Sequence, residues 1–197
     1  DRSPSRGLGD VYKRQVRRVT EELRFLDMPN VVIEVKHDIG KLTINGMDSI
    51  EFLISANKGE KPKPIAKIAS GGELSRIMLA LKSVIADRDS VATMVFDEID
   101  TGISGRMAQV VAEKMSQIGD HHQVICVTHL PQIAAMADAH FSIEKSVENE
   151  TTISTIRRLT EDEQVTELAR MLGGVRITDT VLESAREMLN LAQNAKK

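Results

Sequence analysis

A short apolar run that stops abruptly at two carboxylates, Thr93-Met94-Val95-Phe96-Asp97-Glu98, constrains this chain more than any other stretch. Val91 to Phe96 reads as a fully buried parallel strand, because its apolar residues are nearly continuous and do not alternate with polar ones. Open α/β sheets take their ligands at the carboxyl ends of strands, where Asp97 and Glu98 fall. One reading makes Asp97 an acid that holds Mg²⁺ and Glu98 an acid that orients or deprotonates a water. The other makes the pair the start of the next helix, since Ile103, Met107, Val110, Val111 and Ile118 resume helical spacing after Asp100-Thr101-Gly102.

Upstream, Ser70-Gly71-Gly72-Glu73 opens an amphipathic segment with Leu74, Ile77, Met78, Leu81 and Ile85 on one face, the spacing of a helix laid on a sheet. Free N–H groups and the positive end of the helix dipole make such a turn an anion site, and two glycines let the backbone approach a phosphate. Ser70 adds a hydroxyl donor. Ser70 followed three residues later by Glu73 also matches a capping box, so the turn by itself serves either purpose. A glycine-serine turn, a helix, an apolar strand and an acid pair in that order favour the ligand over the cap.

These blocks carry a family resemblance. Ser70-Gly71-Gly72-Glu73 resembles the signature motif of ATP-binding-cassette ATPases in the Glu-bearing form of their SMC-like branch, and Val95-Phe96-Asp97-Glu98 resembles their Walker B. Asp100 matches the D-loop aspartate, and Val124-Ile125-Cys126-Val127-Thr128-His129 looks like the next strand ending in the switch histidine. The wording of Phe96 to Gly105 and of Thr128 to Ala134 is similar to the SMC relatives that act in bacterial DNA repair. The match runs from about Val16 to the end of the chain.

The resemblance implies a P-loop NTPase lobe of the ATP-binding-cassette type: α/β, three layers, a largely parallel sheet. It implies ATP and Mg²⁺ as cofactors, with Asp97 on the metal, Glu98 and His129 catalytic, and Ser70, Gly71, Gly72, Glu73 and Asp100 binding nucleotide. It further implies a homodimer whose heads sandwich ATP, and DNA, in particular double-stranded ends, as a partner beside a recombinase.

One absence is consequential. No Gly-x-x-x-x-Gly-Lys-[Ser/Thr] occurs in the sequence, and Gly40-Lys41 fails the pattern because Val35 and Leu42 stand where Gly and Ser or Thr are required. That loop cradles the β- and γ-phosphates in such enzymes, so the chain carries half of a site. The family keeps its Walker A in an amino-terminal lobe, and the resemblance makes that lobe an expected partner and this fragment inactive alone.

Composition narrows the alternatives. With 197 residues and 41% hydrophobic content, the chain suffices for one domain with a sizeable core. A formal charge of −3 gives no bulk attraction to nucleic acid, and no Trp, one Tyr and four Phe disfavour base stacking. Lone Cys126, inside an apolar run, reads as an inert core thiol. No apolar stretch reaches the roughly 20 residues of a membrane helix, and no secretory signal is recognisable, which predicts a cytoplasmic protein.

Along the chain, residues 1–15 show no periodicity and read as a disordered or vector-derived segment. Residues 16–28 space Val16, Val19, Leu23 and Leu26 as an ordinary helix or, by resemblance, the end of a coiled coil. Residues 29–197 form the ATPase lobe. Three strand pieces are expected, Val31 to Lys36, Leu42 to Ile44 and Ile50 to Ser55, with turns at Asp38-Ile39-Gly40 and Asn45 to Asp48. Asn57 to Lys67, with four lysines and two prolines, reads as a solvated loop, or as one that brings Lys63 or Lys67 near phosphate. Asp120-His121-His122 lacks the ligand spacing of a metal site. Phe141 and Ile143 predict a strand with a hairpin partner from Thr152 to Arg158, and two helices end the chain, the first stopped at Gly173-Gly174.

Overall fold

The computed structural model describes residues 5–44, 46–68, 71–85, 91–103, 105–148, 151–174 and 176–196, with side chains described outside 5–12 and 147–148. They divide into two compact units, Asp1–Ile103 with Gln117–Val127, and Ser104–Ser116 with Thr128–Lys197.

In the first unit, helix α1 spans Ser5–Phe25. The segment expected to be irregular is therefore helical from Ser5, and in hindsight Leu8, Val11 and Tyr12 continue the three-four spacing of Val16 and Val19 backwards past Gly7 and Gly9. Val19, Leu23 and Leu26 are buried, as an apolar stripe must be, and α1 packs on the next helix of the unit and on the strand that follows. Asp27 turns the chain with φ of 60°.

Strands β1 (Val32–Thr43) and β2 (Gly46–Ser55) form one long antiparallel hairpin, in place of three pieces. Asp38-Ile39-Gly40 is no turn: Asp38 and Ile39 pair with Ser49 and Asp48, and the irregularity is a register shift between Ile39 and Thr43. The reversal falls at Gly46, whose φ of 100° suits only glycine. β3 (Lys63–Pro64) adds a short third strand, and a 3-10 turn (Ile65–Lys67) leads towards helix α2 (Gly71–Ile85). In α2 the buried residues are Gly72, Ile77, Leu79 and Ala80. Met78 and Ile85, expected on the covered face, are 40% and 42% exposed.

β4 (Thr93–Phe96) pairs in parallel with β5 (Gln123–Cys126), Phe96 opposite Cys126. This is the only parallel pairing among the described residues. The strand is buried on one side only. Met94 and Phe96 point inward at 5% and 7% exposure, while Val95 is 66% exposed beside Ile125 at 46%. A parallel strand of this apolarity is normally covered on both faces, and here the second face is left exposed at Val95.

The second unit holds most of α3 (Arg106–Gly119), with Ala108, Val111, Ala112 and Met115 buried. The five-residue α4 (Pro131–Ala135) starts on Pro131, where a missing N–H costs nothing. The expected hairpin is present as β6 (Phe141–Glu148) and β7 (Thr151–Arg158), with Ile143 opposite Ile156. α5 (Glu161–Gly173) and α6 (Asp179–Ala195) pack together through Val165, Leu168 and Ala169 on one and Ala185, Leu189 and Ala192 on the other. Thr160 and Glu163 cap α5 reciprocally, and Gly174 ends it with φ of 66°.

Candidate nucleotide site

The acid pair leaves β4 where the sheet stops. Val127 N–H donates to the Phe96 carbonyl at 3.0 Å, the last rung of the β4–β5 ladder, and Asp97 and Glu98 follow on the exposed side. The chain then turns tightly, with Thr101 N–H on the Glu98 carbonyl at 3.1 Å and Ile103 N–H on the Asp100 carbonyl at 3.3 Å. Ile99 anchors this loop at 0% exposure, and Asp100 is buried at 3%. Glu98 takes φ of 55°, a left-handed conformation uncommon for any residue but glycine, asparagine and aspartate.

The start of α2 lies against the same loop. Ser75 Oγ donates to the Asp97 carbonyl at 3.3 Å. A Cβ placed on Gly72 would stand 2.1 Å from the Thr101 carbonyl oxygen, so glycine there permits the chain to dock on itself. A Cβ on Gly71 would stand 3.3 Å from Glu98 Oε2. Gly71, Gly72, Asp97, Glu98 and Asp100 are thus gathered in one unit, and Glu73 follows in the first turn of α2. Ser70 lies outside the described residues. His129 belongs to the second unit, where it is exposed and Leu130 N–H donates to Thr128 Oγ1 at 3.0 Å.

Local electrostatics follow from these positions. Burial pushes the Cys126 thiol up to about 12, with the Asp100 and Asp97 charges acting in the same direction. Arg76, one turn into α2, has Nε and Nη1 shielded from solvent with no hydrogen-bond partner. Burial lowers its pKa, and the nearby charges of Glu73 and Asp27 oppose that. An open groove of about 330 Å³ runs beside β4, lined by Leu74, Ser75, Met78, Val91, Val95 and Asp97 among others.

A divalent cation fits this setting. Mg²⁺ usually keeps several waters and takes one or two carboxylates plus phosphate oxygens, so an exposed Asp97 at a strand end suffices and a protein cage is not required. Among the described residues no group of three or more His, Cys, Asp or Glu side chains forms such a cage. His122 Nδ1–H donates to the Val91 carbonyl at 2.7 Å, a structural role for the second residue of the His121-His122 pair. Lys63 and Lys67 are exposed, as a solvated loop requires.

Sequence reasoning missed Ser75 and Thr101. Neither carries a pattern signal, because each acts through a contact between segments about 25 residues apart that only the fold brings together. Arg76 was missed as well, and its i, i+3 spacing from Glu73 on one helix is the signal that could have found it.

The fold belongs to a class: that of SMC-type head lobes, within the P-loop, ATP-binding-cassette group of folds. A solved Smc head domain with a coiled coil and joint, from Pyrococcus yayanosii, superposes with a TM-score of 0.57 at 21% identity, covering 83% of this chain and 31% of that one. No protein-family model matches the chain. By sequence the chain belongs to the RecN family: it is 47% identical over 183 residues to the DNA repair protein RecN of Halalkalibacterium halodurans, covering 90% of this chain and 32% of that protein. It is likewise 47% identical over 156 residues to RecN of Bacillus subtilis, covering 79% and 27%. The chain therefore spans less than a third of the length of these relatives. Among the described residues no helix is long and apolar enough to cross a membrane.

Proposed function

We propose that this chain is the carboxy-terminal half of an ATP-hydrolysing head that works in recombinational repair of DNA double-strand breaks, in the bacterial cytoplasm at the nucleoid. The observation that carries the reading is the position of Asp97 and Glu98 at the carboxyl end of a parallel strand, with the glycine start of a helix against the same loop. Bound Mg²⁺ would supply charge neutralisation at the phosphates. Asp97 would hold the metal, Glu98 would take a proton from the attacking water, and His129 would contact the γ-phosphate. Ser70, Gly71 and Gly72 complete the site of a second head, with Glu73 and Asp100 also binding nucleotide, so that ATP joins two molecules.

The partner required first is the amino-terminal lobe with the phosphate loop. The uncovered β4–β5 face, with Val95, Ile125 and Val127 exposed, supports that requirement. DNA ends and a recombinase are further partners on this reading.

The test is Glu98→Gln in the full-length protein. The amide keeps the shape and removes the base, so ATP binding persists while turnover falls by at least about a hundredfold. Turnover at the unsubstituted rate moves the base elsewhere.

A further inference from the structure

Two residues on the packed helices α1 and α2 each sit where their own surroundings disfavour them. Asp27 closes α1 as the left-handed residue of a Schellman turn, with φ of 60° and the Met28 N–H on the Leu23 carbonyl at 3.0 Å. Glycine suits that position best, and the negative end of α1 repels a carboxylate placed on it. Arg76, on α2, keeps Nε and Nη1 shielded from solvent with no hydrogen-bond partner. Donors in that position have lost their water and gained nothing in return. Asp27 and Glu73 both act on Arg76 by charge, yet burial outweighs the two acids at the guanidinium. Leu26 and Met28, at 0% and 4% exposure, fix the backbone on either side of Asp27, whose side chain is exposed and able to turn.

We propose that Asp27 and Arg76 are a positioning pair: in a second arrangement of α1 against α2 the Asp27 carboxylate accepts from the Arg76 guanidinium, and the bond fixes α2 where the acid loop is competent. The inference rests on the reading of Glu98 as the base. Two locally disfavoured groups of opposite charge, within reach of each other on different helices, give up stability for a contact that this arrangement leaves unmade. Glu73 shares α2 with Arg76 and cannot tie it to another element. α1 and α2 pack directly, so a small shift between them and a turn of the Asp27 side chain are enough to make the contact. What α2 does then reaches the acids, because Gly72 abuts the Thr101 carbonyl and Ser75 Oγ donates to the Asp97 carbonyl at 3.3 Å, on either side of Glu98. Arg76 follows Ser75 directly and lies one turn beyond Gly72. A charge-assisted bond there holds the turn of α2 on which the acid loop is moored. Neither residue of the pair touches the reacting atoms.

The experiment compares Arg76→Met, Asp27→Asn and the double variant, in this chain and in the full-length protein. Methionine keeps an apolar stem without the stranded donors, and asparagine keeps the shape of Asp27 and suits its positive φ. In this chain Arg76→Met raises Tm by about 2–4 °C, since the acids it leaves behind have solvent to face. Asp27→Asn leaves Tm level or raises it. In the full-length protein each single substitution lowers kcat for ATP by about tenfold at unchanged KM. The double variant is no slower than the slower single one, because the same contact has been removed twice. A merely structural role has the opposite signature, in which stability and turnover fall together. A lower Tm for either single variant, kcat at the unsubstituted rate, or losses that multiply in the double variant overturns the proposal. Failure of the underlying reading shows separately, as full-length Glu98→Gln that still hydrolyses ATP, and leaves the Tm shifts as they are.

Discussion

Gly72 meets the carbonyl of Thr101 with no room between them: a methyl carbon at position 72 would sit 2.1 Å from that oxygen and 3.1 Å from its carbon. Both atoms belong to backbone that Ile99 and Asp100 hold in the core. Gly72→Ala gains about 1 kcal/mol of helix propensity. It must also push the acid loop off α2, which overpacking costs put at about 1–3 kcal/mol before the loop's own hydrogen bonds are counted. The expected outcome is a net loss of stability, seen as a lower Tm. Gly71→Ala meets only the movable end of the Glu98 side chain and should melt close to the unsubstituted chain. Position 71, not 72, is therefore where phosphate approach can be tested without disturbing the fold.

Cys126 should be chemically silent. With its thiol pushed up to about 12 by burial first and by Asp100 and Asp97 next, its thiolate population near neutral pH falls on the order of a thousandfold below that of a free cysteine. Iodoacetamide labelling at pH 7.5 should be slower by a similar factor and recover on unfolding in urea. The same shift sets a pH dependence. The unfolded thiol ionises near its ordinary value while the folded one keeps its proton, so this group's contribution to stability declines as pH rises through about 9 towards 12. Labelling at the rate of a free thiol would show that the end of β5 opens readily.

The motif block was legible because its chemistry is local. Gly71-Gly72 and Asp97-Glu98 stand out by pattern and Asp100 by family resemblance, and β4, α2 and the β6–β7 hairpin fall where their patterns place them. What was not legible depends on partners distant in the chain. Val95 looks like core by composition and is 66% exposed, because burial of a strand's second face is decided by what lies over it. Asp38-Ile39-Gly40 has turn residues, yet cross-strand partners Ser49 and Asp48 hold it in β1, with His37 Nε2 and Asp48 Oδ1 2.7 Å apart across the pair. The approach of Glu98 to Gly71 had no sequence signal, since it depends on a backbone φ that the residue type disfavours.

Thr160 and Glu163 form a reciprocal cap at the start of α5. Thr160 Oγ1 accepts from Glu163 N–H at 3.4 Å, and Glu163 Oε2 accepts from Thr160 N–H at 2.8 Å. Thr160→Ala should cost about 1 kcal/mol, a drop in Tm of a few degrees. The Thr160 backbone N–H, then its hydroxyl, then Arg157 hold the Glu163 carboxyl below its ordinary range. A depressed carboxyl contributes stability above its unfolded pKa, and that contribution is lost as pH falls through the folded value. Far-UV circular dichroism should therefore find the difference between Thr160→Ala and the unsubstituted chain at pH 7 and a smaller one at pH 3. An equal difference at both pH values would leave the hydroxyl alone as the cap.

Val95 separates the partner reading from plain surface. It lies beside Ile125 across the β4–β5 ladder, and with Val127 these exposed side chains make an apolar strip bordering Asp97. If the strip is ordinary solvent-facing surface, Val95→Thr changes nothing beyond about 0.5 kcal/mol in stability and nothing in function. If the lobe with the phosphate loop covers it, the same substitution puts a hydroxyl without an assured partner into a packed interface, at a cost of about 1–3 kcal/mol. The two costs are separable by measuring each where it acts. The isolated chain should melt normally with Val95→Thr and, lacking the phosphate cradle, should bind ATP weakly or not at all by calorimetry, with either residue at 95. The chain mixed with a separately produced amino-terminal lobe should associate roughly five- to a hundredfold less tightly when it carries Val95→Thr, and ATP binding by the mixture should fall with it. Unchanged association would place the partner lobe elsewhere, and tight Mg²⁺-dependent ATP binding by the chain alone would end the half-site reading altogether.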